Sequence, residues 1–210
     1  MTTVVHIAET AFLSILVSAI EAFPSKFEGK KKPKKSFPEG EVYGLLFGQR
    51  ISKNNSKVFH TIIATPMQII SGRSPAMVFP SAKHSERIKS VIQAYPMYQF
   101  LGTFHSHPWR KDEYKGMGAS RFSPFDEQSA IEDASTLHDE IIEVIIGLTC
   151  LGKSMKKQPD RHSACIQSYC GNYKYSLAAF VTDTSSEKLS KVDNLICPFA
   201  SGVGNDDLNV

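Results

Sequence analysis

The chain predicts an α/β fold in which one curved mixed sheet lies between helices. Three observations carry that expectation. Apolar runs of strand length alternate with stretches of helical period, in the order helix, sheet, helix, sheet. Residues 141–151 form a nearly unbroken β-branched run, the pattern of a strand buried on both faces. A chain of 210 residues with 41% hydrophobic and 21% charged content suits one soluble domain with a substantial core.

Taken in order, residues 6–23 read as a helix, with Ala11, Leu13, Ile15, Leu16 and Ile20 on its apolar face. A lysine-rich linker, 26–38, follows. Residues 41–49 are strand-like, 53–56 turn the chain, and 57–70 form a second strand region bent near Pro66. Residues 71–75 read as a loop and 77–79 as a short strand. Residues 81–94 read as a helix, with Ser81 as its N-cap and Pro96 beyond its end. Residues 98–105 form a strand that breaks at Pro108. Residues 123–135 form a helix with Ser123 at the cap, Pro124 first, and Asp126 and Glu127 in the first turn, where carboxylates favour the positive end of the dipole. After the strand at 141–151 and a polar loop at 152–162, residues 164–169 and 173–181 form a hairpin around Gly171-Asn172. The domain is expected to span 1–182, with 183–210 a polar tail disordered from about 198.

The formal charge of +3 hides a local excess: six lysines and one glutamate lie between 26 and 35, leaving −2 for the rest. No global basic field argues for nucleic acid, and Gly29, Pro33 and Pro38 mark the lysine run as a solvated linker. Cys150, Cys165, Cys170 and Cys197 form no C-x-x-C pair, so free thiols in a reducing cytoplasm are expected. The apolar stretch 11–20 is too short to span a membrane and is flanked by Glu9 and Glu21.

The segment Gly102-Thr103-Phe104-His105-Ser106-His107-Pro108 carries the chemistry. Two histidines at i and i+2 on a strand point to the same side and can converge on one point. Downstream, Ser123-Pro124-Phe125-Asp126 puts a carboxylate at a helix start. Upstream, Glu41 is a lone carboxylate at the mouth of an apolar strand. Two histidines, an aspartate and a free glutamate are the parts of a hydrolytic zinc site with an open position for water. Each has a plainer reading. Asp126 and Ser123 would look the same as helix caps, and Glu41 as a solvated charge at a strand end, with Glu39 a rival.

These residues resemble the JAMM (MPN+) metalloprotease family. Glu41 with Gly44 and Leu45 is similar to that family's glutamate-led strand, His105-Ser106-His107-Pro108 to its histidine pair, and Ser123 with Asp126 to its S-x-x-D. The resemblance spans about residues 8–182. It departs in one place: the fourteen residues from Trp109 to Phe122 exceed the family's usual gap. A second S-x-x-D, Ser190 to Asp193, falls in the expected tail and ranks below the first.

The resemblance implies an MPN (cytidine deaminase-like) fold and one Zn2+ per chain held by His105, His107 and Asp126. Glu41 would be the general base and Ser123 an oxyanion donor. The family's substrate class is an amide or isopeptide bond at the tail of a ubiquitin-like protein, which would bind extended. Trp109, Tyr114 and Phe122 in the long insertion are candidate substrate contacts, and Gly116 and Gly118 would let the loop close as a lid. The insertion reads equally as a solvated loop. A homodimer or a larger complex is compatible with the resemblance; no nucleic acid or membrane partner is expected. Two other readings stand beside the isopeptidase: a zinc amidase on a small-molecule or carrier-protein adduct, and a non-catalytic MPN scaffold, against which the full set of five residues argues.

Overall fold

A computed structural model describes residues 1–29, 39–53, 55–68, 70–74, 77–137, 139–183 and 188–200. Most of the lysine-rich linker and the last ten residues lie outside these. Over the described residues the architecture is mixed α/β, a curled mixed sheet with three α-helices against it.

The chain opens with strand β1, Thr2–Ile7, and not with the expected helical start at residue 6. Thr2-Thr3-Val4-Val5-His6-Ile7 is β-branched at five of six positions, and Val5 and Ile7 are buried in alternation, so period two wins over period 3.6 here. Helix α1 then runs Glu9–Glu21. It buries Ala11, Phe12, Ile15, Leu16 and Ala19, a stripe at i, i+4, i+8 spacing. Leu13, expected on that stripe, points outward, because it lies about 200° around the helix from Ala11.

Strands β2 (Tyr43–Lys53) and β3 (Ser56–Pro66) form an antiparallel hairpin. Residues 71–74, expected as loop, instead belong to β4 (Ile70–Ser74), paired antiparallel with β5 (Met77–Pro80). Helix α2 spans Ala82–Gln93. Strand β6, Gln99–Trp109, carries the histidines and does not stop at Pro108. The Ser106 amide donates toward β2, to the Val42 carbonyl, and position 108 faces the same side one pleat further on. There β2 has not yet begun, so the missing N–H of Pro108 leaves no ladder bond unmade. On its other side β6 pairs in parallel with β7 (Ile141–Cys150) through Pro108 opposite Leu148.

Helix α3 is Pro124–Leu137. Strands β8 (Asp160–His162), β9 (Cys165–Cys170) and β10 (Tyr173–Asp183) follow β7, and the β9–β10 hairpin turns at Gly171-Asn172 as expected. Residues 188–196 are not a polar tail. They supply β11 (Lys188–Lys191), antiparallel to β10, and β12 (Asn194–Ile196), parallel to β1. Val192, Leu195 and Cys197 are buried, and these spaced apolar residues hold a mostly polar segment down. The carboxylate of Asp193 accepts from the Thr3 amide at 2.7 Å, so the second S-x-x-D aspartate is occupied in joining the chain's ends.

The main sheet runs β12-β1-β3-β2-β6-β7-β10-β9-β8, with β11 beside β10. One face packs on α1 through Leu46, Phe59, Phe104, Val144, Ile146 and Leu177. The opposite face carries the alternate residues of β6 and β7: Thr103, His105 and His107 beside Glu143, Ile145 and Gly147. Helices α2 and α3 and the segment 110–122 lie over it. No helix among the described residues is long and apolar enough to cross a membrane.

Candidate metal centre

The i, i+2 spacing on β6 does what the sequence suggests. The Nε2 atoms of His105 and His107 face each other at 3.1 Å. Asp126, in the first turn of α3, brings Oδ2 to 3.7 Å from His105 Nε2 and 3.4 Å from His107 Nε2. Four-coordinate zinc with ligand bonds near 2.0–2.2 Å sets its ligand atoms roughly 3.3 Å apart along the tetrahedron's edges. The three donor atoms already stand at about that spacing, so the residues fit such an ion without rearrangement. Both histidines are buried, and Asp126 forms the open side.

Glu41 lies just before β2, buried, with Oε1 3.8 Å from His107 Nε2. Its neighbour Val42 is fixed to β6 twice: the Val42 amide donates to Ser106 Oγ at 2.8 Å, and the Ser106 amide donates to the Val42 carbonyl at 2.9 Å. The rival Glu39 is taken up by Ser25, whose hydroxyl donates to it.

Ser123 caps α3 as a reciprocal box with Asp126. Its hydroxyl and amide both donate to Asp126 Oδ2, at 2.6 and 2.9 Å, and the Asp126 amide donates to Ser123 Oγ at 3.2 Å. The oxygen that faces the histidines is thus oriented by the cap, so capping and ligation are compatible roles.

Burial and charge set the protonation states. Burial pushes the Glu41 carboxyl up to about 8; His105 opposes that shift and Asp126 adds to it. Burial alone would lower His105, but the carboxylates of Asp126 and Glu143 on either side of the ring reverse this and take it up to about 10. His107 is lowered, by burial first and by the charge of His105. Asp126 is held well below the usual carboxylate range: burial would raise it, and both imidazoles outweigh that.

The insertion, for which the sequence leaves a closing lid and a solvated loop equally open, packs against the sheet through its second half. Residues Gly116–Ser120 form a 3-10 turn in which Ala119 and Ser120 are buried. Ala119 sits on Gly147, where a Cβ would meet the Ala119 carbonyl oxygen at 2.3 Å. The Trp109 indole N–H donates to that same carbonyl at 2.9 Å, and its ring stands edge-on to His107 at 6.3 Å. Phe122 stands 6.1 Å from the His105 ring and 4.6 Å from Phe180. Tyr114 is set apart from these. Its ring lies under Lys174, and its shielded hydroxyl is placed toward Ser176 on β10. Two of the three candidate substrate contacts therefore border the histidines.

Sequence reasoning missed Glu143 and Thr103. Both are buried on the site face, Thr103 Oγ1 donates to Glu143 Oε1, and Glu143 Oε2 lies 3.7 Å from His105 Nδ1. One feature of the sequence points to Glu143: it is the single carboxylate in Ile141-Ile142-Glu143-Val144-Ile145-Ile146, where an unpaired charge would be costly.

Fold and site together define an α/β protein with a candidate three-ligand metal centre and a buried free carboxylate beside it. No known family model matches this chain, and no curated protein matches it.

Proposed function

We propose that this chain is a zinc-dependent metallopeptidase of the JAMM (MPN+) type, hydrolysing an amide or isopeptide bond at the C-terminal tail of a ubiquitin-like protein. The observation that carries the reading is the placement of His105, His107 and Asp126 at tetrahedral spacing with Glu41 buried beside them but outside the ligand set. The curled mixed sheet, with α1 on one face and α2 and α3 on the other, supports an MPN fold. The four free cysteines support a reducing cytoplasmic setting.

When bound, zinc would supply Lewis acidity to the scissile carbonyl and to the attacking water. Glu41 would take a proton from that water as its oxygen adds to the carbonyl carbon. It would then give the proton to the amine nitrogen as the C–N bond breaks. Burial raises this carboxyl in the metal-free protein, and a bound cation beside it would draw it back down, so that it is ionised to take the proton and can hand it on. Ser123 would have to turn its hydroxyl from Asp126 to meet the developing oxyanion; as placed, it steadies the ligand carboxylate. Trp109 and Phe122 would border the substrate tail.

The test couples metal analysis to a cleavage screen of wild type and Glu41→Gln, using ubiquitin-like conjugates and small amides. Zinc in both, with cleavage of the conjugates by wild type alone, is the expected result. Cleavage of small amides alone would make it an amidase. Zinc-free, inactive wild type would make it a scaffold and end the peptidase reading.

A further inference from the structure

The two histidines are not equivalent. His105 has a buried carboxylate behind it, with Glu143 Oε2 at 3.7 Å from Nδ1, on the far side of the ring from the nitrogen that faces Asp126 and His107. His107 has no carboxylate there: its buried Nδ1 makes no ordinary hydrogen bond, and the acceptor on offer to the ring is the Ala119 carbonyl, already taken by Trp109. Glu143 is itself held. Its other oxygen accepts from the Thr103 hydroxyl, and Thr103 and Glu143 are direct partners across the parallel β6–β7 pair. Two residues along, on the same face, His105 lies opposite Ile145. The carboxylate therefore reaches the imidazole diagonally within the sheet face.

We propose that Glu143, anchored by Thr103, is a positioning residue that holds the proton of His105 on Nδ1 and so commits Nε2 to the metal. The proposal rests on the metal reading above and adds to it a residue outside the resemblance's motif. The physical argument is one of tautomers. A neutral imidazole carries one proton, and a carboxylate beyond one nitrogen keeps the proton there and leaves the other nitrogen's lone pair for an ion. It also makes that lone pair more basic. A buried carboxylate must be paired; Glu143 has its hydrogen bond from Thr103 and its ion-pair partner in His105, while Asp133 and Tyr43, also within electrostatic reach, offer it no positive charge. Closing 3.7 Å to an ordinary hydrogen bond needs about 1 Å of side-chain movement. Phe122, edge-on to the His105 ring at 6.1 Å, limits where that ring can go instead.

The experiment compares wild type, Glu143→Gln and Thr103→Val by two readouts that do not depend on catalysis. One is zinc affinity from competition with a chromophoric chelator. The other is the 15N imidazole spectrum of the zinc-loaded protein, which reports which nitrogen of His105 carries hydrogen. The expected result for Glu143→Gln is a fold intact by circular dichroism, a zinc dissociation constant raised about 10- to 100-fold, and a changed or exchange-broadened His105 Nδ1–H signal. Thr103→Val, which frees the carboxylate without removing it, should shift both readouts the same way by less. Unchanged affinity and an unchanged His105 signal in Glu143→Gln would overturn the proposal while leaving the metal site standing. If Glu143→Gln does not fold, Thr103→Val decides alone, and its wild-type affinity and spectrum would overturn the proposal. A wild type that binds no zinc would instead remove the metal reading, and this proposal with it.

Discussion

The hydroxyl of Ser106 accepts a 2.8 Å hydrogen bond from the amide of Val42, and the Ser106 amide returns a 2.9 Å bond to the Val42 carbonyl. The residue between the two histidines is thereby clamped to the residue after Glu41. The relative position of the free carboxylate and the ligand pair is set by this staple, since β2 itself begins only at Tyr43. Ser106→Ala should leave the buried Val42 amide short of an acceptor, at a cost of about 1–3 kcal/mol. It should also lower kcat through a displaced Glu41 while zinc stays bound. Thermal denaturation, metal content and turnover read the three parts separately, and normal turnover would mean that Glu41 is held by other contacts.

Glu41 and Glu39 are separated by chemistry that the structure makes explicit. Glu39 is engaged by Ser25 and Glu41 faces His107. Glu41→Gln should abolish turnover with zinc retained, and Glu39→Gln should keep full turnover. The reverse pattern would move the general base by two residues.

The ligand set predicts one zinc per chain, with His105→Ala and Asp126→Ala each losing it. The two variants should differ in stability. Asp126→Ala also removes half of the capping box on α3, worth about 1 kcal/mol, so it should melt lower than metal-stripped wild type. Elemental analysis and melting curves check this; full zinc retention in both variants would exclude the site.

Most of the site was legible in the sequence because its chemistry lies in local patterns. The H-x-H spacing on a strand and the S-x-x-D at a helix start each put a side chain where periodicity says it should be. What was not legible depends on neighbours distant in the chain. Pro108 looked like a strand end until the late start of β2, at Tyr43 opposite His105, removed the bond it would have broken. Thr2–Ile7 became a strand because β3 and β12 flank it, and six residues ahead of a helix carry little periodicity of their own. Residues 188–196 became strands because β10 and β1 offer pairing edges to a segment whose composition alone reads as polar. Glu143 was hidden by its β-branched neighbours, although that same setting demanded a partner for it.

Metal binding should release protons. In the metal-free protein His105 is raised to about 10, so it is charged at neutral pH, and an ion at Nε2 must displace that proton. Calorimetric titration with zinc at pH 7.5 in two buffers of different ionisation enthalpy should show about one proton leaving per ion. The sign for stability follows. A histidine raised in the folded state stabilises the metal-free fold fully below its unfolded value of 6.5, and loses that contribution as pH rises through about 10. Glu41, raised to about 8, acts in the same direction, its contribution present below 4.5 and lost as pH rises through 8. His107, lowered by burial, acts the other way below 6.5, so the metal-free protein should lose stability from pH 6.5 to 10, and the melting-temperature gap to the zinc-loaded protein should widen over that range. A gap that narrows with pH would mean that His105 is neutral before the metal arrives.

The insertion can be probed from beneath without touching a ligand. Gly147 lies opposite His107 in the β6–β7 pair, and a Cβ there would meet the Ala119 carbonyl oxygen at 2.3 Å. Gly147→Ala must therefore lift Ala119, and with it the acceptor of the Trp109 indole N–H. Overpacking of this kind costs about 1–3 kcal/mol. If Trp109 and Phe122 border an extended protein tail, the lifted layer should raise KM for a protein-sized conjugate with zinc content intact. A small amide makes none of those remote contacts and should suffer less. Equal losses on both substrates, with lowered zinc affinity, would show that the shift has passed through the β6–β7 pair to His107 and that the layer serves the ligands. No loss on either would mean that the layer bears on neither the substrate nor the metal.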